Sequence, residues 1–148
     1  MEILPARDAD YEWAAELMAK SEPWVTLRRD QDQCRAAVRR PGTELFIGVQ
    51  GEQRLGFLLL AAHGLAGSPY IASIAVDAAA RGRGVGTALL DFVEARYRGT
   101  RQHLFLLVSS FNPRARRLYE RRGYQQVGEI PDYIVAGHSE CIMHKRLG

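Results

Sequence analysis

Only two cysteines occur in the 148 residues, Cys34 and Cys141, and neither has a CxxC or Cys/His neighbour at metal-ligand spacing. That excludes a disulfide framework and a cysteine-based zinc site, and leaves both thiols as reduced packing residues. Long apolar runs are missing as well. No stretch of 18 or more apolar residues is present, and Met1 to Asp10 carries charges where a secretory leader needs an apolar core, so a cytoplasmic protein away from membranes is expected. Lysine is scarce: of the 20 Lys and Arg residues only Lys20 and Lys145 are lysines. The formal charge of +3 is modest for this length and says nothing about where the charges sit. There is also no repeat, low-complexity tract or linker, so 1–148 reads as one domain, and 47% hydrophobic residues suffice for its own core.

What is present alternates helix and strand periods. Ile3 to Ala6 reads as a first strand, and Tyr11 to Lys20 as a helix with Tyr11, Ala14, Ala15 and Met18 on one stripe after a cap at Asp8 or Asp10. Asp30 and Gln33 form a capping pair for a second helix, with Cys34, Ala37 and Val38 inward and Pro41-Gly42 as its stop. Glu44 to Gln50 and Arg54 to Ala62 flank Gly51-Glu52 as a hairpin, and Tyr70 to Asp77 follows a Gly64 to Pro69 loop. Thr87 to Tyr97 is helical in period, His103 to Ser109 is a buried strand, and Pro113 to Arg122 is a short helix stopped by Gly123. Tyr124 to Ile130 and Glu140 to Leu147 close the chain as strands. The expected architecture is a mixed α/β sheet, mostly antiparallel, with one right-handed parallel strand-helix-strand crossover from Tyr70 to Ser109.

Chemistry gathers at Arg81-Gly82-Arg83-Gly84-Val85-Gly86-Thr87, between an apolar strand and a helix. Alternating glycines let several backbone N–H groups converge, and the helix start supplies unpaired donors and partial positive charge, which together suit a phosphate. A P-loop fails because no Lys precedes Thr87, and a dinucleotide fingerprint fails because Thr87 stands where its third glycine belongs. The pattern [Q/R]-x-x-G-x-[G/A] is met by Arg81, Gly84 and Gly86. By itself so short a string also describes a tight structural turn.

With this turn and this order of elements, the chain resembles the GNAT superfamily of acyl-CoA N-acyltransferases, most strongly from Tyr70 to Tyr124. The resemblance implies that backbone amides from Gly82 to Thr87, with Arg81 and Arg83 nearby, hold the pyrophosphate of acetyl-CoA. It also implies that Ile74, Ala75 and Val76 offer main-chain groups to the acetyl and pantetheine parts. Asn112 to Tyr124 is similar to the family segment N-x-x-A-x-x-L-Y-x-x-x-G-[FY] at every marked position. Asn112 before Pro113 is an N-cap pair in its own right, and the resemblance adds a pantetheine contact. Tyr119 reads as core by spacing; by resemblance it is the general acid for the departing thiolate.

The resemblance implies an N-acetyltransferase acting by direct attack in a ternary complex, with acetyl-CoA as donor, no metal, and a peptide or protein N-terminus ahead of a small-molecule amine as acceptor. In layout it resembles the ribosomal-protein alanine acetyltransferase branch, where a Glu follows the fifth-strand Leu. Here Leu107 occupies that place, so the base is open among Tyr70, Asp132, Tyr133, His138, Glu140 and Glu22. An α-amine, with a pKa near 8 against about 10.4 for lysine, asks less of any base. Leu107 also keeps alive a rival, a non-catalytic acyl-CoA sensor. Nucleic-acid binding by Arg114 to Arg122 ranks last, since no aromatic platform accompanies them. Strand edges near the C-terminus suit a homodimer.

Overall fold

The computed structural model describes residues 1–148. Its elements are β1 (Glu2–Pro5), α1 (Asp8–Ala19), α2 (Gln31–Val38), β2 (Thr43–Gln50), β3 (Gln53–Leu65), β4 (Ser68–Val76), α3 (Val85–Tyr97), β5 (His103–Ser109), α4 (Pro113–Arg121), β6 (Gln125–Ile130) and β7 (Glu140–Arg146). They build one seven-stranded sheet in the order β1-β2-β3-β4-β5-β7-β6. Every neighbouring pair is antiparallel except β4 and β5, which run parallel across the α3 connection. No helix is long and apolar enough to cross a membrane.

Two apolar cores form because β2, β3 and β4 are covered on both faces. Ala14, Ala15, Leu17 and Met18 of α1 meet Cys34 and Val38 of α2 over Leu45, Ile47, Phe57 and Leu59. On the other face Leu89, Leu90 and Val93 of α3 pack on Leu58, Leu60, Leu104 and Leu106. Buried on both sides, these strands read as near-continuous apolar runs. Asp30 and Gln33 cap α2 reciprocally, at 2.8 and 2.9 Å.

Three local expectations are corrected. Asp8 is already helical; the cap of α1 is Arg7, whose backbone N–H is accepted by Asp10 at 2.8 Å, so the acid works from the third helical position. The anticipated Gly64 to Pro69 loop is a tight hairpin turn at Ala66 and Gly67, both at positive φ (51° and 80°), which lets β3 run on to Leu65. And α3 begins at Val85, two residues before Thr87, with Gly84 as its cap.

A buried carboxylate pins the far end of this half. Glu94 follows Leu90 by one helical turn, which places it inside, 3% exposed. It accepts from Lys145 Nζ at 2.8 Å, from Arg122 at 3.1 Å and from Tyr124 Oη at 3.0 Å, tying α3 to α4 and β7. Burial opposes its ionisation, but these three donors outweigh burial and hold its pKa below the usual value. The stability it contributes is therefore present above the ordinary carboxylate pKa and is lost as pH falls through the depressed one. Glu94→Gln takes the carboxylate from two half-buried cations, leaving Arg122 with Asp91 alone, and is expected to remove about 2 kcal/mol, read as a lower urea midpoint at neutral pH.

Candidate active site

The site originates in a register fault. Leu59 pairs with Ser73 and Leu60 with Ile71, so Ala72 is an extra residue in β4, a β-bulge. A bulge bends its strand and strengthens the twist. β4 and β5 pair only at Tyr70↔Phe105 and Ile71↔Leu106, and just beyond, at the bulge, they part. The main-chain groups of Ser73 to Val76 on the β5 side consequently face a cleft instead of a neighbouring strand.

That cleft, about 560 Å³, is walled by Ile74, Ala75 and Val76 on one side and by Leu106, Leu107, Val108 and Ser109 on the other. Its floor is the start of α3. Gly82 and Gly84 both sit at φ 77°, a conformation L-residues rarely adopt, and an added Cβ at either would point into open space. Their glycines are thus needed for conformation, and the αL cap at Gly84 turns the chain into α3. The first helical residues, Val85, Gly86 and Thr87, line the cleft with N–H groups that lie outside the helical bonding pattern, whose first bond is Ala88 N–H to Gly84 C=O at 3.0 Å. Gly56 of β3 lets this first turn seat closely: a Cβ there would stand 2.7 Å from the Ala75 carbonyl and 3.3 Å from Val85.

Nearly all the residues expected from sequence converge here. Ile74, Ala75, Val76, Arg81, Gly82, Gly84, Val85, Gly86, Thr87, Asn112 and Tyr119 all line the cleft. Arg83 does not; its guanidinium donates to Gln50 Oε1 at 2.8 Å. Asn112 caps α4, accepting from Ala115 N–H at 3.4 Å, while also forming part of the wall. Arg114 and Arg121 of α4 line it too, giving cationic surface beyond Arg81.

Tyr119 is 7% exposed, and burial alone pushes its phenol up to about 12. It packs edge-on against Tyr124, centroids 6.0 Å apart. Across the cleft, Glu140 opens β7 opposite Ser109 of β5. This carboxyl is 4% exposed and accepts from Ser109 Oγ at 2.7 Å. Burial raises its pKa, against the Ser109 hydrogen bond and the charge of His138. Of the other groups that sequence offered as a base, Tyr70 is pushed up to about 12 by burial. Glu22 is engaged by Thr26 N–H and Oγ1 at 2.9 and 2.6 Å, Asp132 accepts from Gly137 N–H at 2.6 Å, and His138 packs on Phe111. Tyr133 lines a second cavity.

That second cavity, about 1090 Å³, opens on the α1–α2 side and shares Trp24, Leu27, Tyr70, Ala72, Ser73, Leu107 and Ile134 with the first. The two spaces meet through the gap left where β4 parts from β5. Sequence missed Ser73, Ser109 and Ile134 as wall residues, because only strand register brings them to the gap.

Residues 7–124 match the Acetyltransferase (GNAT) family. The chain belongs to the GNAT family. An uncharacterised N-acetyltransferase of Methanocaldococcus jannaschii is 37% identical over 82 residues, covering 54% of this chain and 53% of that protein. The chain thus spans about half the length of this curated relative. Among solved structures, Arabidopsis thaliana NAA60 in complex with acetyl-CoA is 15% identical with a TM-score of 0.78, over 99% of this chain and 98% of that one. An aminoglycoside 6'-N-acetyltransferase complexed with coenzyme A, also 15% identical, gives a TM-score of 0.78 over 100% and 98%. At that identity these two share the GNAT fold.

Because Gly84 has room for a side chain but not the backbone conformation for one, Gly84→Ala is expected to cost about 1–2 kcal/mol in thermal or urea unfolding. Gly84→Asn should recover part of the loss, since Asn tolerates the left-handed region.

Proposed function

We propose that this chain is an N-acetyltransferase that moves an acetyl group from acetyl-CoA to a primary amine by direct attack. One observation carries the reading: the unpaired helix start of α3, the open edge of β4 and the buried Tyr119 phenol all face one cleft. Pyrophosphate suits the N–H groups of Val85 to Thr87 with Arg81 beside them. Arg114 and Arg121 supply the cations for the remaining phosphate. Along the pantetheine, the exposed main chain of Ile74 to Val76 bonds in the manner of a missing strand, and Asn112 borders it. A thioester carbonyl set against a β4 N–H is polarised where its negative charge grows.

Two proton movements remain. Tyr119 keeps its proton across the neutral range, since its phenol lies near 12. It therefore serves as donor to the sulfur, and with a thiol pKa near 8.5 the phenol stabilises the growing thiolate chiefly by hydrogen bonding. Glu140 is the group placed to take the ammonium proton. It is the one acid lining the cleft with a raised pKa, and its partner Ser109 fixes it at the gap. Leu107, standing where the resembling branch has its Glu, is part of the wall between the cavities and leaves this task to β7. The two reduced thiols and the need for acetyl-CoA suit a cytoplasmic setting.

A second reading keeps acetyl-CoA and removes the chemistry, and Leu107 is what favours it. Tyr119→Phe separates the two. It is expected to lower amine-dependent release of free CoA thiol by about 10²-fold while calorimetric affinity for CoA stays within about twofold. Unchanged turnover would remove Tyr119 from the mechanism, and a wild type that binds acetyl-CoA but acetylates no amine would establish the sensor.

Glu140 gives a pH signature. A base with a raised pKa is lost as pH falls through that raised value, so kcat/KM should decline on the acid side at a pH above the ordinary carboxylate range. Glu140→Gln should lower kcat/KM by about 10²-fold and abolish that limb; persistence of the limb would assign the base elsewhere.

A further inference from the structure

The cavity on the α1–α2 side has a one-sided charge. Its lining includes no Asp or Glu, and its only charged members are Arg28, Arg29 and Arg40. All three are exposed at its rim, and none takes part in an ion pair of the structure. Two acids that flank lining residues are engaged: Asp30, next to Arg29, caps α2, and Asp132, next to Tyr133, accepts from Gly137 N–H. At the junction Tyr70 lies between the two signs: burial raises its phenol most, Glu140 adds to that, and Arg40 from the rim opposes it. Between rim and junction the walls are apolar, with Met18, Trp24, Leu59, Leu65 and Ile142 among them. Negative groups line the other cleft, the one with Tyr119: Glu140, buried at its inner wall, and Glu22, exposed at its margin.

From inside to outside the sequence of environments is therefore carboxylate, apolar wall, guanidinium. We infer that the acceptor is a peptide amino terminus with an apolar first residue followed by acidic residues. This rests on the acetyl-transfer reading and names its substrate class. The ammonium points at Glu140, the first side chain fills the apolar space, and the following carboxylates meet the rim arginines in charge-assisted pairs. A polyamine would place its distal cations against three guanidiniums and find no carboxylate in the cavity. A free amino acid holds its carboxylate one carbon from its amine, in the buried junction rather than at the exposed rim.

The test uses the full chain at saturating acetyl-CoA and follows free CoA thiol with four acceptors: Leu-Asp-Asp and Leu-Lys-Lys peptides, the lysines Nε-trimethylated so that they keep their charge and only the amino terminus can accept, spermidine, and free leucine. The expected kcat/KM for the acidic peptide exceeds each of the others by at least tenfold. The Arg28→Glu/Arg40→Glu variant should reverse the preference between the two peptides, its fold checked by circular dichroism. Spermidine, leucine or the lysine peptide matching the acidic peptide would overturn the inference and leave acetyl transfer standing. If no acceptor is turned over, the transfer reading fails. Binding then still decides the surface: a labelled acidic peptide must bind the acetyl-CoA-loaded protein at least tenfold more tightly than its lysine counterpart, and equal binding overturns the inference.

Discussion

One extra residue in one strand is the constraint from which the site follows. Ala72 cannot be paired within the β3–β4 register, so β4 bends there and leaves β5 after two paired residues. Everything chemical lies along the opening. Had the parallel pair stayed zipped, Ser73 to Val76 would have spent their outward N–H and C=O groups on β5, and the walls of both cavities would have closed. The unpaired edge is tolerated because its N–H and C=O groups face an open cleft that water can enter, while the surrounding strands hold cores on both faces.

Such an opening weakens a sheet, and the molecule ties its two halves together around it. On the near side, the glycine at position 56 lets the first turn of α3 lie against β3 and the end of β4, so the helix start is held by packing rather than by the loop before it. On the far side, Glu94 gathers Lys145, Arg122 and Tyr124, which joins α3 to the elements beyond the gap. A helix anchored at both ends presents its first N–H groups to the cleft that Tyr119 and β4 also line. Positioning of that kind matters more than raw affinity where small displacements cost rate.

Element order was legible in the sequence because each strand and helix keeps its period: Leu89, Leu90, Val93 and Tyr97 spell a helix wherever they occur. The glycine turn and the Asn112 to Tyr124 segment were legible too, since their residue types are tied to local backbone geometry. The bulge was not. Ala72 and Ser73 have no turn chemistry, and their mismatch exists only against the register of β3. The same holds for Glu140 and Ser109, 31 positions apart and brought together by β5–β7 pairing. Sequence offered Glu140 as one acid among several; burial distinguished it. Glu94 was hidden in the opposite way, by a charge on a face whose period reads apolar. Of the two arginines in the turn, Arg81 lines the cleft while Arg83 is bonded to Gln50, a partner that local sequence does not announce.

The scarcity of lysine acquires a meaning beside the Glu94 cluster. A protein that holds an activated thioester next to an amine site exposes its own surface to acylation, and neutral amines are the groups at risk. Here Lys145 is engaged by a buried carboxylate at 2.8 Å, and Lys20 at the end of α1 is the other lysine. The remaining basic side chains are guanidiniums, permanently protonated and poor nucleophiles. On the acetyl-transfer reading, arginine in place of lysine gives the surface its attraction for phosphates and carboxylates while adding few amines that would compete for the acetyl donor.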